Sequence, residues 1–240
     1  MRMSKTVAIH QPHFFPWMGY LHKMASADVF IILDDVQLTD PSPMTRNTIL
    51  DVKGKPYTFS ASIFKKGYLE KPMRELTVNY ANKWARNLVK FVELNYKKAP
   101  FFEEIFPLVC EPLSAEPEKL IDLQMETLTR IREALDIQTL LVMQGTMDYD
   151  TSATQTERLI ALTRACDATC YLSGAGAKDY MDERLFEEVG IELHYQDFVQ
   201  PVYLQCSSSD FVGNLSIIDM LFNLGVQGSR EVFWETICRE

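Results

Sequence analysis

Residues 29–33, VFIIL, are five consecutive apolar side chains with no polar residue among them. A strand with one wet face alternates apolar and polar residues. A strand buried on both faces does not, and that pattern belongs to parallel sheets covered by helices. The flanking sequence agrees. TVAIHQ (6–11) reads as a strand, PWMGYLHKMASA (16–27) as a helix and DVFIILDDV (28–36) as a second strand. This β-α-β order predicts an α/β fold, a mostly parallel sheet covered by helices on both faces.

The pattern is interrupted and then resumes. Residues 38–80 read as a small antiparallel β insertion, with strands in TILDV, KPYTFSASIF and RELTV. Residues 82–136 read as a helical segment. Trp84, Leu88, Phe91 and Leu94 lie near helical spacing, as do Leu120, Leu123, Leu128, Ile131 and Leu135. Strands and helices alternate again from QTLLVMQ (138–144). SATQTERLIALTRACDA is a helix that Ser152 or Thr154 is placed to cap. TCYLSG is a strand, DERLFEEVG a helix stopped by Gly190, and IELHYQDF a strand. SIIDMLFNLG is a short helix with Ser216 near its start and Gly225 past its end. At 240 residues with 47% hydrophobic content, one α/β domain spanning 1–240 and containing both inserted segments is the expected organisation.

Net charge limits the partners. Thirty-three acidic residues against 24 basic leave −9, which argues against a nucleic-acid backbone or an anionic membrane surface. The four-residue apolar run after MRMSK is far short of the roughly 7–15 residues of a secretory leader, and no stretch approaches the ~20 residues of a membrane span. The five cysteines (Cys110, Cys166, Cys170, Cys206, Cys238) have no metal-site pairing, so free and mostly buried thiols in the cytoplasm are expected.

In parallel sheets, ligands bind outside the carboxyl ends of the strands. Four predicted strands end in unusual polar residues. His10, Gln11 and His13 follow the first; Asp34, Asp35 and Gln37 close the second. Ser173 leads into the glycine-rich SGAGAKDY, with Gly174, Gly176, Lys178, Asp179 and Tyr180. Tyr195, Gln196 and Asp197 finish IELHYQDF. His10 and His13 are three apart, so in an extended chain they point to opposite faces, one into a site and one into packing. Their spacing lacks a third ligand, and no metal site is predicted. His22 reads as a surface or interface residue and His194 as a packed one. Trp17 or Phe15 offers a flat face on which a sugar or base can stack. The glycines after Ser173 leave backbone N–H groups accessible to an anion, with Lys178 adding positive charge. His10 is the candidate base for an acceptor amine and Asp34 the carboxylate that would orient that amine.

Laid out together, IHQPHFFPWMGYLHKM, ADVFIILDDVQ, TRN, YLSGAGAKDYMDERLFEEVGIELHYQDF, YLQ and LSIIDMLFNLG resemble the WbqC-like protein family over nearly the whole chain. The resemblance adds Arg46 and Asn47 (in TRN) and Tyr203 and Gln205 (in YLQ) to the substrate-binding candidates. It implies a role in bacterial O-antigen-like polysaccharide synthesis: transfer of a glycyl or related acyl group to an amino sugar. The implied partners are a sugar or nucleotide-sugar substrate and an acyl donor; no cofactor is named. Two other readings stand beside it. One is an ATP- or nucleotide-sugar-dependent activating enzyme similar to the HIGH-superfamily nucleotidyltransferases, although Trp17-Met18-Gly19-Tyr20 replaces their H-x-G-H. The other is a non-catalytic binder of sugar intermediates.

Overall fold

Fourteen α and β elements follow one another in the computed structural model, which describes residues 4–38, 44–178 and 181–238. They are β1 (Thr6–His10), α1 (Met18–Ala25), β2 (Val29–Ile32), β3 (Arg46–Leu50), β4 (Pro56–Ser60), α2 (Trp84–Tyr96), α3 (Phe102–Ala115), α4 (Leu120–Ala134), β5 (Leu140–Met143), α5 (Gln155–Ala165), β6 (Cys170–Ser173), α6 (Glu183–Glu188), β7 (Glu192–Tyr195) and α7 (Ile217–Ile237). The chain divides into two compact units. One holds Met1–Gln11, His22–Asp34 and Gln138–Phe198; the other holds Pro12–Leu21, Asp35–Ile137 and Val199–Glu240.

The first unit is built on a five-stranded parallel sheet, order β5-β2-β1-β6-β7. Residues 29–32 are buried throughout, as the unbroken apolar run requires. On one face Val7, Ile9, Val29, Ile31 and Tyr171 pack against Ile160 and Leu162 of α5 and Phe186 of α6. From β1 the order runs one way to β2 and the other way to β6 and β7. Right-handed crossovers therefore put α1 on the opposite face from α5 and α6. The reversal between β1 and β6 is a topological switch point.

In the second unit β3 and β4 form an antiparallel ladder from Arg46–Ser60 to Leu50–Pro56. RELTV is not a strand. Residues Met73–Glu75 form a 3-10 turn, and only isolated bridges follow, Ile63 with Val78 and Thr77 with Lys119. The helices α2, α3, α4 and α7 pack on one another. The sequence pattern does not reveal α3, because Pro107 and Pro112 stand inside it and each removes a backbone donor. Thr154 occupies the cap position of α5, but neither it nor Ser152 caps the helix through its side chain.

Gly225 does end the helical run from Ile217, with φ 70° and ψ 179°, and helix resumes beyond it. A Cβ there would stand 2.5 Å from Phe101 Cδ1. Gly225→Ala therefore combines a left-handed backbone penalty with overpacking, each worth about 1–3 kcal/mol. The expected melting temperature, followed by circular dichroism, is lower by roughly 5–15 °C; an unchanged value would contradict this packing.

All five cysteines are free thiols, but only Cys170 is buried; Cys110 and Cys166 are intermediate, and Cys206 and Cys238 are exposed. Among the described residues no helix is long and apolar enough to cross a membrane.

Candidate functional site

The opening loop is divided between the units. His10 and Gln11 finish β1 in the first, while residues 12–17 are fastened into the second. Gln124 Nε2 donates to the carbonyls of Pro12 (3.0 Å) and Met44 (2.8 Å). The Phe15 carbonyl accepts from Asn47 Nδ2 (2.6 Å) and Ser216 Oγ (2.8 Å), and the Pro16 carbonyl from the Ile217 N–H (2.9 Å). Phe15 is held at φ 44°, a strained value for a bulky residue, so these two donors fix a turn the chain would otherwise leave. Phe14 and Phe15 are fully buried and pack edge-on against Phe59. Phe15 is thus a plug and not a stacking floor. Trp17 is partly exposed, and its indole lies where a Cβ on Gly19 would fall.

Several expected binding residues are committed elsewhere in the second unit. Asn47 uses Nδ2 on Phe15, and its Oδ1 accepts from the Thr48 N–H (2.8 Å). Asp35 pairs with Arg74 (2.6 Å). Gln37 is exposed and bridges to Pro72; Arg46 is exposed. Tyr203 Oη (2.8 Å) and Gln205 Nε2 (2.9 Å) both donate to Asp219 Oδ2, while Tyr96 Oη donates to Asp219 Oδ1 (2.6 Å). His13 is buried and stacks on Tyr20, with ring centroids 4.5 Å apart.

The first unit brings the rest to one place. Across its carboxyl edge, in strand order, stand Gln144 after β5, Asp34 after β2, His10 and Gln11 at β1, Ser173 and Gly174 at β6, and Gln196 and Asp197 after β7. Neighbouring strands are about 4.8 Å apart, so Asp34 and Asp197, three strands apart, are roughly 14 Å from each other and do not serve one reacting bond. His10 and Ser173 end adjacent strands, but the register that pairs Val7 with Tyr171 and Ala8 with Leu172 turns Ser173 to the face of Ile9 and His10 to the opposite face. Asp34 is buried, and its Oδ1 accepts from the Gly145 N–H (2.8 Å) beyond β5, on the side of β2 away from β1. That oxygen ties the β5 turn down. His10 is half-buried, with Nδ1 3.1 Å from the Gln11 carbonyl. Ser173 is buried; beyond it Gly174 and Gly176 would each have open space around a Cβ. Lys178 lies over the Tyr195 ring at 4.9 Å. Asp197 is exposed, and Asp179 and Tyr180 lie outside the described residues.

Two residues of this edge escape the sequence reading. His22 is not on the surface; it is buried, with Nδ1 2.9 Å from Gln196 Nε2 and its ring near Phe198. Lys23, beside it, is 4% exposed, and its ammonium donates to the Ile9 carbonyl (2.9 Å). Burial pulls its pKa down to about 7. No sequence signal marks either residue, and only the structure shows that residues 18–24 are all buried. His194, expected to be packed, is exposed beside Glu192 (3.5 Å).

A parallel sheet reversing between β1 and β6 and covered by helices defines a doubly wound α/β fold. The chain belongs to the WbqC-like protein family, which it matches over residues 11–231. It is 33% identical over 225 residues to the uncharacterised protein Rv1507c of Mycobacterium tuberculosis, covering 93% of this chain and 95% of the relative. No solved structure matches it.

Proposed function

We propose that the protein is a transferase of bacterial surface-polysaccharide synthesis, moving a glycyl or related acyl group onto an amino sugar at the β1–β6 edge. The observation that carries this reading is the half-buried His10 at the carboxyl end of β1, beside the switch point of the sheet. In the reaction the sugar amine attacks the acyl carbon. A C–N bond forms, the bond from the acyl carbon to the donor's leaving group breaks, and His10 accepts the proton the amine loses. Gln11 and Ser173 supply hydrogen bonds to the substrates.

A thermal-shift screen of nucleotide sugars, ATP and CoA thioesters identifies the ligands, because a molecule that binds only the folded state raises the midpoint. With donor and acceptor in hand, His10→Asn is expected to keep the melting temperature and to lower turnover by roughly 10²–10⁴-fold. Undiminished turnover would remove His10 from the chemistry. Ligand binding with no transfer product would favour a binding protein over an enzyme.

A further inference from the structure

Lys23 has no role in the transfer step described above, yet its position is unusual. Carbonyls along a strand alternate sides. The His10 carbonyl accepts from the Leu33 N–H (2.8 Å), on the β2 side. The Ile9 carbonyl therefore points to the β6 side. There the ladder between β1 and β6 runs from Thr6–Cys170 to Ala8–Leu172 and stops. Lys23 Nζ takes up the Ile9 carbonyl just past that end, where the two strands part. Side chains on a helix lean toward its N-terminus, which for α1 is the carboxyl edge of the sheet. The lysine stem thus carries a positive charge up into the switch point.

That charge is incompletely satisfied. An ammonium has three hydrogens, and Ile9 takes one. Among the described residues Lys23 makes no other hydrogen bond and no ion pair, although it is 4% exposed. Removing a cation from water without a counter-ion is costly, and an anion placed against the ammonium would offset that cost and favour its charged form. Lys178, after β6, adds a second cation to the same edge of a chain whose net charge is −9. Two cations suit a group of about two negative charges, as a phosphate ester carries, better than a single carboxylate.

We propose that Lys23 is the anion receptor of a phosphate-binding site between the carboxyl ends of β1 and β6, and that the substrate enters by its phosphate or diphosphate group. This names a substrate class for the edge proposed above and rests on that edge being the ligand site, but not on acyl transfer. The phosphate displaces no partner of the lysine; it fills the two donor positions Ile9 leaves. The chain after β6 is open at Gly174 and Gly176, where a Cβ would meet nothing within 4 Å.

Isothermal titration with inorganic phosphate and with pyrophosphate, on the wild type and Lys23→Met, tests this. The wild type is expected to bind at least one of the two. Tighter pyrophosphate binding marks a nucleoside-diphosphate substrate, and tighter phosphate binding a phosphomonoester. Lys23→Met, similar in length and apolar, is expected to weaken binding by roughly 10- to 100-fold, the loss of a charge-assisted hydrogen bond. Its unfolding midpoint is expected to stay at or above that of the wild type, which a purely structural lysine would not allow. Should the variant fail to fold, ¹⁵N spectra of the wild-type lysine ammonium groups decide: the Lys23 signal shifts on saturation or it does not. Absence of binding by either anion, equal binding by the variant, or an unmoved Lys23 signal would each overturn the phosphate site. Absence of an acyl-transfer product alongside phosphate binding would overturn only the proposed reaction.

Discussion

Asp219→Ala is expected to lose roughly 3–5 kcal/mol of stability, the cost of removing one partner from a buried charged network. The carboxylate is fully buried in the first turn of α7, where the helix dipole favours a negative charge. Burial pushes its pKa up, and the hydroxyls of Tyr96 and Tyr203 and the amide of Gln205 oppose that push by donating to the charged form. Removing it orphans three donors at once. Tyr96 also accepts from the Leu50 N–H (3.0 Å), so α2, α7, β3 and the 203–205 segment are joined through two side chains, Asp219 and Tyr96. Against a typical total of about 5–15 kcal/mol, the loss puts the midpoint down by roughly 6–20 °C. Tyr203→Phe removes one donor and leaves the other two in place, and is expected to lose only about 1–2 kcal/mol. Urea unfolding of the two variants in parallel gives both values. Equal losses would mean that the carboxylate is not the hub.

Lys23→Met is expected to flatten the pH dependence of stability. Burial penalises the ammonium form, and its folded pKa of about 7 lies below the ordinary lysine value of 10.5. Below pH 7 both folded and unfolded chains hold the proton, and the folded state bears the full desolvation penalty. Between 7 and 10.5 the folded chain sheds the proton that the unfolded chain keeps. Wild-type stability therefore rises with pH across that window, by at most about 1.4 kcal/mol per unit, and is lost again as pH falls through 7. Measured by urea unfolding at about pH 6 and pH 9, the wild type is expected to gain roughly 2–3 kcal/mol relative to the methionine variant. Parallel pH profiles would show that Lys23 keeps its proton when folded, held by a group other than Ile9.

What can be read from the residues divides along physical lines. The parallel sheet is legible because VFIIL has no wet face. The polar edge is legible from the residues at the strand ends, but the switch point is not, because it depends on the order β5-β2-β1-β6-β7 that only the pairing gives. Asp219 is hidden inside SIIDMLFNLG, where one carboxylate in an apolar run reads as the wet side of a helix. Tyr203 and Gln205 are visible as polar groups, but only distance shows that they spend themselves on Asp219. Lys23 escapes for the opposite reason: lysine is so seldom buried that its type alone argues for solvent. The helix α3 is masked by Pro107 and Pro112, whose missing donors packing against α4 and α7 offsets.

The β1–β6 pairing also sets an order of events during synthesis. Thr6 cannot meet Cys170 until everything between them has left the ribosome, and β7 follows later still. The β1–α1–β2 portion of the sheet must wait, with an unpaired flank, while the segment from Asp35 to Ile137 emerges and organises itself. Pairings so distant along the chain form slowly, and exposed strand edges attract neighbours in the meantime. The crevice where we place the ligand is closed by the late-arriving strand. On the proposed placement, the site is complete only once β6 has joined β1, so a ligand would act only on chains that have already finished that pairing.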